Sequence, residues 1–422
     1  MAPALRRMGA VVAVAGTACG QMALETDPAL DAAKDSPVAE VGTDANAIDG
    51  DVDVADAGAG GAQSDAMADA ADVPAPAWSA AATMPQGKAD HSSALVAGQV
   101  VVAGGIDSLH NASVTAAAYD PASGAWSSMP SMSSAHGNAC STLLADGRFL
   151  VAGGLSVLGK WTAQLTASAE VFDPAAGAWT ATKTVMHVSR ASHECALLQG
   201  GAVLALGGIA AIPPGPPTAS AELLLPAAGW VTTSPLPVGR IGFTATPLGD
   251  GSVLIAGGAG EGGAAMASAL LFDPAKGAFV STGSLAAARA GHRAVLLQDG
   301  QVLIMGGTAE TAPSSGAELY DPSKGVWTTT ASMFLARTAF SATLLGSGRV
   351  LVAGGNGPVG PEASAEIYDP IQGTWSSAGN MVVKRAAHAA TLLPSGKVLV
   401  TGGWVGAWAP SDSAELFDPS AL

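Results

Sequence analysis

The sequence is poor in the groups that usually carry chemistry. Charged residues make up only 12% of 422 positions, and 34 acids outnumber 18 bases. A formal charge of −16, with no basic stripe, excludes a nucleic-acid surface, which needs clustered Lys and Arg. Three cysteines are too few for a disulfide framework. There is no H-E-x-x-H or G-x-S-x-G motif, so a zincin helix and a nucleophile elbow are excluded. No glycine pair is followed by Lys-Ser or Lys-Thr, so none is a phosphate loop. The apolar run Met8–Ala18 is too short for a bilayer, which takes about 20 residues.

What the chain has instead is glycine, 54 residues of it, in a fixed rhythm. Doublets begin at Gly104, Gly153, Gly207, Gly257, Gly306, Gly354 and Gly402, in steps of 49, 54, 50, 49, 48 and 48 residues. An aromatic follows in register at Trp126, Trp179, Trp230, Phe279, Trp327 and Trp375. Ahead of it stand Tyr119, Phe172, Leu224, Phe272, Tyr320, Tyr368 and Phe417. Each unit reads as four short antiparallel strands: an apolar run, a tight turn such as Asp299-Gly300, a second run ending in Gly-Gly, a third ending in Asp-Pro, and a fourth opening at Trp. The first two runs are nearly continuous rather than alternating, which predicts burial on both sheet faces. This spacing resembles the kelch family over residues 77–422, and a period of about 50 residues suits a propeller blade.

The ends set the blade count. The last unit stops after Phe417-Asp418-Pro419, without its Trp strand, while Trp78–Met84 (WSAAATM) matches Trp327–Met333 (WTTTASM). Pairing that N-terminal segment into the last sheet covers an open edge and closes the ring. The expected fold is an all-β, seven-bladed β-propeller of four-stranded antiparallel blades.

Residues 1–18 read as a signal peptide, with Arg6 and Arg7 ahead of the apolar run. Thr17-Ala18-Cys19 resembles the end of a bacterial lipobox, with Gly16 as a departure, so Cys19 is the expected lipidation site. Residues 19–76 form an acidic Ala/Asp-rich segment. From Glu25 to Pro76 it has 13 acids against Lys34 alone and no aromatic residue. Such a composition predicts a self-repelling, disordered tether. Export to an outer membrane or cell surface is expected, or secretion to the periplasm or beyond.

Candidate site residues sit on the face shared by the loop entering strand one and the loop from strand two to strand three. Arg190, Arg240, Arg289, Arg337 and Arg385 each lie 17 residues before a doublet, and His136 takes the place in the second blade. Three residues on come His193, His292 and His388, or Phe243 and Phe340. Guanidinium groups there can bind carboxylates bidentately, or can bond loop carbonyls and tie blades together. Trp161, Trp404 and Trp408 break the repeat in mouth-face loops, where they would stack on a ligand or cap the apolar end of the ring. Cys140 and Cys195, in inner strands of adjacent blades, are either a disulfide or buried thiols.

Resemblance to kelch-type propellers implies two enzyme models, galactose oxidase-like copper enzymes and sialic acid mutarotases. The first needs two tyrosines and two histidines at the mouth, whereas Tyr119, Tyr320 and Tyr368 all occupy the third-strand position. The second would use Arg and His at the mouth. The favoured expectation is a non-catalytic binding scaffold for a carbohydrate or protein partner, monomeric, without cofactor or metal, touching membrane only through a lipid anchor.

Overall fold

In the computed structural model the described residues are 77–159, 162–212, 215–309, 312–406 and 409–422. They form seven four-stranded antiparallel sheets, here blades 1 to 7. Blade 5 is typical: Arg293–Leu296, Val302–Met305, Ala317–Asp321 and Val326–Thr330 pair in that order. The inner strands begin at Ser92, Cys140, Glu194, Thr244, Arg293, Ser341 and Ala389, and each lies beside the next, blade 7 against blade 1.

Blade 7 confirms the predicted closure. Its outer strand is Trp78–Ala81, paired to Ala414–Phe417 with Trp78 opposite Phe417. Trp78 is buried and its Nε1–H donates to the Ala378 carbonyl of blade 6 at 2.8 Å. Trp327 and Trp375 make the same bond back to the preceding blade, to Gly283 and Ala331. Blade 1 then bonds the N-terminal segment, Trp126 donating to Ala82. The added strand is thus a full member of the repeat.

Burial follows the sequence pattern. Second strands such as Val203–Leu206 and Val350–Ala353 are buried at every residue, because neighbouring sheets cover both faces. Between blades 5 and 6 the packing layer includes Leu303, Met305, Phe340, Val352 and Tyr368. Outer strands such as Ala125–Ser128 are largely exposed.

The glycine doublets have a steric cause. At Gly307 φ is +89°, and a Cβ would stand 2.6 Å from the Ala290 carbonyl oxygen. Its N–H donates to the carbonyl of Arg337 in the next blade at 3.0 Å. The same bond runs from Gly105 to His136, Gly154 to Arg190, Gly208 to Arg240, Gly258 to Arg289, Gly355 to Arg385 and Gly403 to Lys88, which closes a circle. No helix among the described residues is long and apolar enough to cross a membrane.

A chain beginning at Gln86 should lose the ladder to Phe417 and the burial of Trp78. We expect it to melt well below a chain beginning at Ala75 in a thermal scan followed by circular dichroism. Equal melting temperatures would disprove closure by the N-terminal strand.

Candidate functional site

Each residue following a doublet pairs with the loop that enters the inner strand of its own blade. Examples are Ile106 with Ala89, Ile209 with Ala191, Thr308 with Ala290 and Trp404 with Ala386. The two loops therefore share one face, the mouth, as expected. The next residue of the entry loop is left-handed in every blade: Asp90, Asn138, Ser192, Gly242, Gly291, Ala339 and Ala387, with φ from 51° to 63°. These residues touch around the axis through their backbones. Asn138 N–H donates to Asp90, Ser192 to Asn138, Gly291 to Gly242, Ala387 to Ala339 and Asp90 to Ala387. Asn138 also donates from Nδ2 to Ser192 Oγ at 2.7 Å.

The arginines do not line this mouth. Arg190, Arg240, Arg289, Arg337 and Arg385 are at most 2% exposed. Arg337 shows the pattern: Nη1 donates to the carbonyls of Gly354 and Ser364, and Nη2 to Glu366 at 2.6 Å. Glu366 in turn accepts the backbone N–H groups of Phe334 and Leu335 in the entry loop. Arg190 with Glu222, Arg289 with Glu318 and Arg385 with Glu415 repeat the arrangement. The side chain thus braces its own blade, while the backbone carbonyl of the same residue ties it to the blade before. The guanidinium groups do bond loop carbonyls, as one reading expected, but those carbonyls belong to their own blade, so the side chains neither line the mouth nor cross between blades.

Two blades lack the carboxylate, with Ala117 and Leu270 in its place. There the first entry-loop donor is missing too, because that position is Pro85 or Pro237, and proline has no N–H. Burial without a carboxylate pulls Arg240 down to about 10. In blade 2 His136 takes the arginine's place, its Nδ1 donating to the Gly153 carbonyl and Nε2 lying 3.4 Å from Glu170. In blade 1 the cation is Lys88, one residue beyond Gly87, bonded to Gly104, Ser113 and Thr115. Lys88 was missed because the register was counted rigidly.

Three residues on, the histidines are buried as well. His292 Nε2 meets Thr244 Oγ1, His388 Nε2 meets Ser341 Oγ, and His91, absent from the sequence reading, meets Thr401 Oγ1. Burial, then neighbouring cations, lower His91 and His292 to about 3. The same causes hold His193 and His388 well below the usual imidazole range.

A second polar group lies at the first inner-strand position. Most blades place Ser, Thr, Cys or Ala there, but blade 3 has Glu194 and blade 5 has Arg293. Burial raises Glu194 to about 7, with Arg293 pulling the other way. Asp90 also acts on Arg293, whose Nε–H donates to the Phe340 carbonyl at 2.8 Å. A charge interrupting a small-residue column was the signal available for this pair.

Trp404 is only 7% exposed; its Nε1–H donates to Asp90 and its ring stacks on His110. It packs with Ile106, Leu155 and Ile209, so it caps the apolar end of the ring instead of awaiting a ligand. Trp161, Trp408 and Cys19 lie outside the described residues. Tyr320 and Tyr368 are buried, their hydroxyls paired with Thr282 and Thr330, and Tyr119 is buried at the same register. Cys140 and Cys195 form a disulfide across the inner strands of blades 2 and 3, with Cα atoms 5.6 Å apart. On the opposite face, two clefts of about 270 and 520 Å³ open beside turns, the first lined by Asp146, Arg148 and Lys183, the second by Asp250, Asp299 and Asp321.

Residues 87–133, 289–334 and 337–382 match the kelch motif. A solved structure described as a novel fungal alcohol oxidase of the AA5 family, in complex with copper, superposes with a TM-score of 0.67. It is 18% identical, and the match covers 81% of this chain and 76% of that one. At that identity the likeness shows the fold alone. No curated protein matches the sequence. The chain is a seven-bladed propeller carrying kelch motifs.

Two predictions follow from this geometry. Arg289→Ala strands a buried carboxylate, and should cost about 3–5 kcal/mol in urea denaturation. Glu318→Leu and Ala286→Pro recreate the blade 4 pairing, so together they should cost less than the sum of the single changes; strict additivity would rule the coupling out.

The second prediction concerns pH. Four imidazoles that are neutral in the fold bind protons when unfolded. Their contribution is whole above the unfolded value near 6.5 and is lost as pH falls towards the folded values. Glu194 opposes this, since its folded value near 7 exceeds the unfolded value of about 4.3; it loses stability as pH rises between the two. The histidines outnumber it, so stability should fall below about pH 6.5. His292→Phe, the residue of blades 4 and 6 at this register, should flatten the slope by about 1.4 kcal/mol per pH unit. An unchanged slope refutes the assignment.

Proposed function

We propose that this propeller is a non-catalytic binding scaffold that recognises a partner, protein before carbohydrate, through its mouth-face loops. The supporting observation is a set of apolar side chains left in water on that face. Phe334 and Val382, at one register in the entry loops of blades 6 and 7, are each 71% exposed. Val359 and Leu109, in the strand-two to strand-three loops of blades 6 and 1, are 95% and 78% exposed. Exposed apolar groups gathered on three successive blades fit a partner surface better than they fit solvent. The scaffold beneath is rigid, since its ionic groups are consumed by internal braces, and this preorganises the loops. An export signal, an anchor at Cys19 and the acidic tether would hold the disc at a bacterial surface.

The alternative, sugar processing of the mutarotase type, would have to use Glu194 and Arg293, because the ring arginines and histidines are enclosed. Among the described residues, a carboxyl raised by burial to about 7, against the pull of a guanidinium, is the feature that favours it.

Photo-crosslinking residues placed at 334, 359 and 382 in the full chain should trap a partner, whereas one at 371 on the opposite face should not. Phe334→Ser with Val382→Ser should stay folded and lose the partner. Crosslinks from 371 alone would move the site to the turn face. Binding on a glycan array that the double variant abolishes would make the ligand a carbohydrate.

A further inference from the structure

We propose that Cys140, His193 and Cys195 have a second state, a thiolate–imidazole site for a zinc-class cation that forms when the disulfide is reduced. The three side chains offer ligand atoms that all lie within 4.8 Å of one another. Zinc–sulfur and zinc–nitrogen bonds of about 2.3 and 2.0 Å place tetrahedral ligand atoms about 3.3–3.8 Å apart. The cluster therefore needs only small movements once the sulfurs separate.

The repeat shows what is unusual here. His292 and His388 each meet a hydroxyl at the first position of the preceding blade's inner strand, Thr244 and Ser341. For His193 that position is Cys140. Both ring nitrogens of His193 are buried and have no hydrogen-bond partner within the described residues, although the residue is only 2% exposed. An imidazole whose two nitrogens are withdrawn from water without partners forgoes bonds that folding normally preserves. A metal bond would satisfy one of them. Cys195 stands at the second inner-strand position, where the other blades have Ser93, Ser141, Ala245, Ala294, Ala342 and Ala390. Two substitutions in adjacent blades thus converge on the one histidine that lacks a hydroxyl. Cys195 is part-exposed, leaving access for a reductant, for the cation and for a water as fourth ligand.

The chemistry balances. Reduction adds two electrons and two protons to the disulfide and yields two thiols. With a phosphine reductant the phosphine supplies the electrons, and water supplies the protons and the oxygen of the phosphine oxide. Metal binding then releases the two thiol protons. The joint between blades 2 and 3 would be stapled either way, by an S–S bond or through the metal.

The test uses the full chain carrying Cys19→Ser, so that two thiols remain. After anaerobic phosphine reduction and removal of the reductant, Co²⁺ is titrated in and then displaced with Zn²⁺. We expect one Co²⁺ per chain, a thiolate-to-cobalt charge-transfer band, and no such band in the unreduced protein. His193→Phe keeps the disulfide, follows Phe243 and Phe340 of the repeat, and should weaken binding at least ten-fold; His292→Phe should not. Absence of the band, or His193→Phe binding as tightly as the parent, overturns the site. Should the reduced protein unfold, recovery of its circular dichroism with Zn²⁺ supports the site, and failure to recover counts against it.

Discussion

The molecule depends on one hydrogen bond made seven times: from the N–H of the second doublet glycine to the backbone carbonyl at the arginine position of the next blade. It recurs at every joint of the ring, including the one between blades 7 and 1. It forces glycine, because the donor sits at positive φ with the entry loop of its own blade where a Cβ would be, as the Ala290 carbonyl stands against Gly307. It also explains why a cation recurs at the acceptor residue. A carbonyl used between blades must be held in place within its own blade, and the side chain of the same residue does this by bonding the first glycine of its own doublet, as Arg289 does to Gly306. The residue is a two-ended clamp: backbone outward, side chain inward.

This clamp separates what could be read in advance from what could not. The blade count, the four-strand order and the closing strand at Trp78 followed from spacing alone, since each strand is bounded by Gly, Asp or Pro. The role of the arginines did not follow. Spacing placed Arg337 on the repeat but could not show that Glu366 pairs with it and reaches back to two N–H groups in the entry loop. Yet a trace of that bond was present. The two blades without the glutamate, at Ala117 and Leu270, are the two with proline at the first donor position, Pro85 and Pro237. Removing an N–H removes half the reason for a buried carboxylate, whose desolvation then goes uncompensated.

Residue type left Trp404 open between binding group and cap, for a related reason. A tryptophan that breaks a repeat in a loop resembles a binding group, but its register, directly after a doublet, is that of Ile106, Leu155 and Ile209. Those side chains form one apolar layer beneath the mouth. Read by register instead of by residue type, Trp404 is the largest member of a structural ring.

The same distinction shows where specificity can reside. Positions that serve the clamp vary within narrow limits: every blade keeps the doublet, five keep arginine, with His136 and Lys88 in the other two, and five keep the glutamate. Chemically distinctive divergence lies in two places: the tips of the mouth loops, where Phe334, Val359 and Val382 stand in water, and the inner-strand starts, where Cys140, Glu194 and Arg293 interrupt a column of small residues. A buried charge, or an imidazole whose nitrogens lack partners as in His193, is costly at the inner position. A sequence that keeps Glu194 facing Arg293, and His193 facing two cysteines, therefore carries on its axis chemistry that the fold itself does not require.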